Sequence, residues 1–275
     1  MTLGTVLDRA FRLYSDNFPL MFGITAILHA PILMVSLFVV LLPFVGNNLV
    51  LSTIVLLSTL IISLLTLILV YPLATAATTK AVSDKYLGNP VTIGSALSEA
   101  WGNVGTLLLT QIVVGIVVML GFMLLVVPGI LWMLSYALVP SVIMIEASNR
   151  KISRQVYSLT GDAKGASPMI MDRSDIRRRS WELVSGNRGK VFLTLFVFSV
   201  ISLLLSGGGV WLAGIFFDPR STTGATARSI ISDLVSIAVS PLRTIAITLL
   251  YYDLRIRKEG SDLEMLSRAL AGPAV

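Results

Sequence analysis

Charged residues vanish from three long stretches of this chain. Residues 17–79 run for 63 positions without Asp, Glu, Lys or Arg, residues 100–145 for 46, and residues 191–217 for 27. Each run exceeds the roughly 18 apolar residues that mark a transmembrane helix. A hydrocarbon core of about 30 Å takes about 20 helical residues at a rise of about 1.5 Å, so the longer runs must be divided. Turn formers supply the divisions: Pro43–Asn48 (PFVGNN) splits the first run and Pro128-Gly129 the second. The pattern predicts six spans, near 20–42, 49–79, 104–127, 130–146, 191–217 and 229–252.

The segments ahead of alternate spans have a different rhythm. In residues 2–18, Leu3, Val6, Leu7, Ala10, Phe11, Tyr14 and Phe18 fall on one helical face, with Asp8, Arg9, Arg12 and Asp16 on the other. The same register returns in Thr92–Trp101 (TIGSALSEAW against TLGTVLDRAF), and a third amphipathic stretch, Ile176–Val184, precedes the fifth span. These segments are predicted to lie as helices in the cytoplasmic headgroup layer. The even-numbered spans repeat as well. Pro72-Leu73-Ala74-Thr75-Ala76-Ala77-Thr78-Thr79 and Asp84 match Pro241-Leu242-Arg243-Thr244-Ile245-Ala246-Ile247-Thr248 and Asp253 at six positions, and Pro140 takes the comparable place in the fourth span. The expected fold is all-α and polytopic, one integral membrane domain over 1–275. Its six transmembrane helices form three parallel pseudo-repeats (about 1–86, 87–160 and 172–260), each led by an interfacial amphipathic helix. Residues 151–172 read as a cytoplasmic loop insertion. Two spans per unit give the units one orientation, an arrangement that can surround a central site.

Composition agrees, with 55% hydrophobic and only 13% charged residues, where soluble domains carry about 25% charged. The net charge of +6 is a matter of topology. Eighteen Lys and Arg fall in the N-terminal segment, residues 80–103, residues 146–190 and the tail after Tyr252; only Arg220 and Arg228 fall in the opposite connections, and Arg243 lies inside the last span. The bias puts both termini in the cytoplasm. The absence of cysteine and the single histidine, His29, exclude disulfides, thiolate sites and most histidine-built metal or acid–base sites. His29, near Pro31, reads as a packing residue.

Several segments together resemble a known family. Val127-Pro128-Gly129-Ile130 is followed by Ala137–Pro140 leading to Glu146, then by Arg178-Arg179-Ser180-Trp181-Glu182-Leu183-Val184, and finally by Leu250–Gly260 (LYYDLRIRKEG). They resemble the membrane domain associated with glycerophosphoryl diester phosphodiesterases, across nearly the whole chain, with the last segment the most specific. The resemblance implies an all-helical protein of the bacterial cytoplasmic (inner) membrane. Here it implies a stand-alone member: the sequence has neither the length nor the histidines for the phosphodiesterase domain, so that activity is not carried over.

Arg243 is the foremost candidate residue, roughly 13 Å below the cytoplasmic boundary. A charge at that depth costs about 2.5–3.5 kcal/mol on insertion scales, so it faces a bundle interior or snorkels to the interface. Pro241 cannot bond the carbonyl of Ile237, which leaves an acceptor nearby. Arg243 is therefore the candidate site for an anionic group such as a lipid phosphate. Arg177, Arg178 and Arg179 are candidate contacts for anionic lipid, at about 1 kcal/mol per basic residue. Asp233 is expected to cap or solvate the outer helix end, and Asp253, Arg255, Arg257, Lys258 and Glu259 to form a cytoplasmic ion-pair cluster. Gly186–Lys190 lacks the spacing of a phosphate loop, so Arg188 and Lys190 read as topology anchors. Gly207–Gly209 is expected to permit close packing.

The leading function is a non-enzymatic, lipid-interacting or accessory membrane protein. The alternative is a transporter or channel with a central site near Arg243. Neither catalytic nor metal-ligating residues are expected, and no cofactor. Expected partners are membrane lipids, anionic ones included, with a membrane-protein partner also open and nucleic acid excluded. The topology is directly testable because the chain has no cysteine. Ser261→Cys should resist an impermeant thiol reagent in intact cells and react in inside-out vesicles; labelling from outside would overturn the 18-to-2 charge assignment.

Overall fold

The computed structural model describes residues 2–40, 49–146, 173–218 and 221–271; the 151–172 insertion and the Pro43–Asn48 break lie outside the described residues. Every described element is helical. In chain order they are α1 (Leu3–Asp16), α2 (Phe18–Val40), α3 (Leu49–Tyr86), α4 (Ile93–Gly102), α5 (Val104–Leu124), α6 (Val126–Glu146), α7 (Arg173–Val184), α8 (Arg188–Phe216) and α9 (Thr222–Ala271). Five are long and apolar enough to cross a membrane: α3, α5, α6, α8, and α9 over Ala227–Gly260. A shorter apolar stretch, Phe18–Pro31, opens α2.

The short helices start and stop on local polar chemistry. Thr2 caps α1 by accepting from the Thr5 amide, and Thr92 caps α4 by accepting from the Ser95 amide, with Ser95 Oγ accepting the Thr92 amide in return. Both helices turn small residues inward, Val6 and Ala10 in α1 and Ala96 and Ala100 in α4. In α1 the charges of Asp8, Arg9, Arg12 and Asp16 stay off that face. Each short helix meets the next long one at an asparagine of nearly constant geometry: Asn17 (φ −125°, ψ 26°), Asn103 (φ −112°, ψ 7°) and Asn187 (φ −124°, ψ 20°). The carbonyl of each accepts the first amide of the following helix, from Met21, Leu107 and Val191, at 2.9–3.1 Å.

The break between α5 and α6 differs from the expectation at Pro128-Gly129. It falls on Leu125 (φ −164°, ψ 153°), and Pro128 sits in the first turn of α6, where no amide is needed. One residue is enough to reverse the chain because the two helices cross on glycine. A Cβ on Gly129 would stand 2.5 Å from the Phe122 ring, and one on Gly121 would stand 2.7 Å from Trp132. The third helix also runs past the expected end at Thr79 to Tyr86, where Gly88 (φ 78°) closes it in the left-handed conformation.

Three prolines interrupt the even-numbered long helices, and each interruption is answered differently. In α3, a π-turn over Thr66–Val70 precedes Pro72, and the Tyr71 amide donates to the Thr66 carbonyl five residues back. In α6 the helix loosens into a turn at 136–138 ahead of Pro140, and the Tyr136 carbonyl accepts the Val139 amide at 3.1 Å. In α9 the carbonyl of Ile237, which Pro241 cannot bond, lies 3.2 Å from the Thr25 hydroxyl of α2 and 3.3 Å from Ser240 Oγ. The neighbouring Ala238 carbonyl accepts from the Tyr14 hydroxyl of α1. The acceptor near Arg243 is thus taken by hydroxyls and is not the arginine's partner. Thr25→Val should cost about 1 kcal/mol in detergent unfolding, and less in a Pro241→Ala background, where an amide reclaims the carbonyl. Strictly additive effects would show that Thr25 does not serve this gap.

Candidate functional site

The stretches that follow the three prolines converge. Pro72, Thr75 and Thr79 of α3, Pro140 and Ser141 of α6, and Arg243, Thr244 and Ile247 of α9 line one cavity of about 320 Å³, closed around by residues of α5 and α8 that include Gln111 and Ser199. The wall is amphipathic, with Val114, Val118 and Leu195 between the polar groups. A second cavity of about 400 Å³ opens between α8 and α9. Tyr71, Ser199 and Arg243 line both, so the guanidinium sits where the two meet.

Arg243 is half-buried. Its guanidinium carbon lies 5.6 Å from the centroid of the Tyr71 ring, a cation–π contact placed by the π-turn just before Tyr71. Among the described residues no carboxylate pairs with it. Such a contact is worth about 0.5–2 kcal/mol and leaves the donor edge of the guanidinium unused. Two hydroxyls in the lining are similarly unanswered. Thr79 Oγ1 and Ser141 Oγ belong to residues 1% and 0% exposed, and neither has a hydrogen-bond partner among the described residues. A buried hydroxyl without a partner costs about 1–3 kcal/mol, and two of them line this cavity together with the guanidinium.

The other predicted residues fall elsewhere. His29 Nδ1 lies 2.8 Å from the Thr25 carbonyl of its own helix, a packing arrangement. Asp233 does not cap an end, because α9 begins eleven residues earlier at Thr222; it lines a third cavity further out, with Arg228. Gly209 accepts close packing, since a Cβ there would stand 3.0 Å from Val235, and α8 runs unbroken through the glycines. Arg178 pairs with Glu182 at 2.7 Å on the exposed side of α7, and Arg177 is partly exposed. Arg179 points inward instead, pairing with Glu146 at 3.4 Å and with Glu259. Burial draws the Arg179 pKa down, but the two carboxylates outweigh it and hold the pKa above its ordinary value.

Those pairs belong to a network that closes the bundle at the end nearest the C-terminus. Lys190 of α8 meets Asp253 of α9 at 2.5 Å, and Arg257 reaches the same carboxylate at 3.2 Å. The Tyr251 hydroxyl donates to Glu146 at 3.3 Å, Arg255 pairs with Glu259 at 3.0 Å, and Lys258 donates to the Glu182 carbonyl. One turn past Thr79, Ser83 Oγ lies 2.7 Å from the Tyr252 hydroxyl, and Tyr86 stacks on Tyr252 at 5.0 Å. The expected cluster on α9 is therefore present, but most of its partners come from α6, α7 and α8. Lys190 has an ion-pair role, and Arg188 lies 4.8 Å from the Trp181 ring.

The polar lining was missed by the sequence reading, although its spacing carries a signal. Ser199, Ser202 and Ser206 of α8 lie three and four residues apart, as do Ser236, Ser240 and Arg243 of α9 in the reverse order. Both sets fall on one helical face.

The fold and site define an all-helical protein whose long apolar helices suit a multi-pass membrane protein. No family model matches the chain, and neither a curated protein nor a solved structure matches it.

Asp253→Asn should lower stability by about 2–3 kcal/mol, under the about 3–5 kcal/mol of a fully buried pair because Lys190 keeps some exposure. Adding Lys190→Met should recover most of the loss in thermal unfolding; no recovery would mean that the pair is incidental.

Proposed function

We propose that this protein is a multi-pass, lipid-interacting membrane protein that holds a phosphate-type anionic headgroup at Arg243, in a binding role and not a catalytic one. The observation that carries this reading is the half-buried guanidinium with no carboxylate partner among the described residues, facing a cavity with two unanswered hydroxyls. A structural arginine in such a place would be paired, because the alternative leaves a charge with poor solvation. Guanidinium and phosphate match bidentately, and hydroxyl donors complete the shell.

The wider arrangement follows the same proposal. The chain crosses the bacterial inner membrane six times, with α2 as the first span and both termini in the cytoplasm, in line with the charge bias. Three parallel units, each an amphipathic interfacial helix followed by a hairpin of long helices, surround the cavity. The shared asparagine joints support that division, as does the convergence on the cavity of the stretches that follow Pro72, Pro140 and Pro241. So does the resemblance to the phosphodiesterase-associated membrane domain, which we carry as part of the proposal. Arg177 and Arg178 are the residues of α7 left facing outward for anionic lipid, since Arg179 serves the ion-pair network. A transporter or channel for a small anion is the second reading, favoured by the meeting of two cavities at one arginine.

Lipid phosphorus copurifying with the detergent-solubilised protein tests the site. Arg243→Ala should fold and lose the bound anionic lipid, with affinity down about tenfold or more for the loss of a charge-assisted contact worth about 1.5–3 kcal/mol. Arg243→Lys should restore only part of it, because the bidentate geometry is gone. Unchanged lipid in a well-folded Arg243→Ala protein would overturn the site.

A further inference from the structure

Arg243 lies well inside α9, so any anion that binds there needs a way in. Toward the C-terminal end the bundle is shut by the Ser83–Tyr252 contact and the ion pairs around Asp253. In the other direction the surface between α8 and α9 is polar turn after turn. Ser199, Ser202 and Ser206 face Ser236 and Ser240 around the cavity of about 400 Å³ that ends on Arg243. One turn further out, Arg228, Ser229, Ser232 and Asp233 line another cavity of about 400 Å³. From Arg228 to Arg243 the helix rises about 22 Å, roughly the outer two-thirds of a hydrocarbon core.

We propose that this serine-lined groove is the route by which a phosphate-type oxyanion reaches Arg243 from the membrane face opposite the chain termini. The inference rests on the site and topology proposed above. Three features support it. First, hydroxyls here are a liability without an occupant: Ser199 and Ser236 are exposed on helix faces that otherwise meet lipid, and neither they nor Ser206 hydrogen-bond within the described residues. An oxyanion passing between the helices would accept from them in succession. Second, the electrostatics run inward. Asp233 balances Arg228 within the outer cavity, whereas Arg243 at the inner end has no acidic neighbour among the lining residues, so the potential becomes more positive with depth. Third, the outer cavity has its own unanswered donor, since the buried Arg228 Nε has no hydrogen-bond partner among the described residues. The same phosphate chemistry is carried by a phospholipid headgroup sliding along an open groove and by free inorganic phosphate.

The full-length protein, free of cysteine, allows the route to be read directly. Ser206→Cys, Ser236→Cys and Ser240→Cys are made singly, with Leu204→Cys (Leu204 is 67% exposed and absent from the lining) as the reference. Impermeant methanethiosulfonates, one bearing a sulfonate and one a trimethylammonium group, are added to the outside of right-side-out phosphatidylcholine vesicles. The groove cysteines should react at least about tenfold faster with the anionic reagent after correction for intrinsic reactivity, and Leu204→Cys with neither. Arg243→Gln should abolish the preference, and Arg243→Lys should keep it. Protection by inorganic phosphate in pure phosphatidylcholine would identify a free anion as the cargo. Protection that requires phosphatidylglycerol in the vesicle would identify a lipid-borne one. Equal rates for both reagents, reaction only from the side of the termini, or protection by neither source would overturn the route. If the groove cysteines stay silent while Arg243→Ala still loses bound lipid, the route fails and the site stands.

Discussion

A proline inside a helix deletes one backbone donor, and in a bundle of apolar helices no water is at hand to replace it. Besides Pro31 in α2, three such deletions fall one each in α3, α6 and α9, and the architecture around these three is arranged for repair. A π-turn absorbs the first by moving the amide of Tyr71 onto Thr66. A turn at 136–138, where the helical ladder is interrupted, serves the second. The third is met from outside, by hydroxyls of α1 and α2 that reach the exposed carbonyls of α9. The stretches that follow these three prolines in α3, α6 and α9 meet at one cavity, so a polar pocket sits inside an apolar bundle just beyond the repaired segments.

That geometry also accounts for Arg243. The π-turn sets Tyr71 where its ring can meet the guanidinium, and the hydroxyls bound to Ile237 and Ala238 leave the arginine with no backbone partner of its own. The Ile237 and Ala238 carbonyls of α9 are answered by hydrogen bonds, while the charge itself and the Thr79 and Ser141 hydroxyls of the same cavity are not, among the described residues. The contrast with Arg179 is instructive. Arg179 lies among Glu146 and Glu259 in a network that ties three helices together.

Much of the fold was legible because hydrocarbon imposes length and excludes charge, and both are local properties of a sequence. The charge-free runs placed α3, α5, α6 and α8 to within a few residues, apart from the run-on of α3 to Tyr86, whereas the last span, expected over 229–252, lies within a helix that runs from Thr222 to Ala271. The reversal at Leu125 was missed because Pro128 is as much at home in a first turn as in a break, and only the Gly121–Gly129 crossing decides between them. Arg243 stood out because a lone charge in an apolar run is costly. The serines did not, since a hydroxyl can bond its own helix, as Ser202 does to Phe198, and then passes for an apolar residue. Which hydroxyls are left unanswered depends on neighbours hundreds of positions away. The capture of the Ile237 carbonyl by Thr25 spans 212 residues and leaves no periodic trace.

The 50-residue length of α9 has a mechanical meaning. Between Arg243 and Asp253 the helix has neither proline nor break, so these ten residues form a stiff lever about 15 Å long. One rigid element thus carries the arginine at the cavity and, at its other end, the carboxylate that Lys190 ties to the base of α8, so the cavity and the charged rim share a single strut.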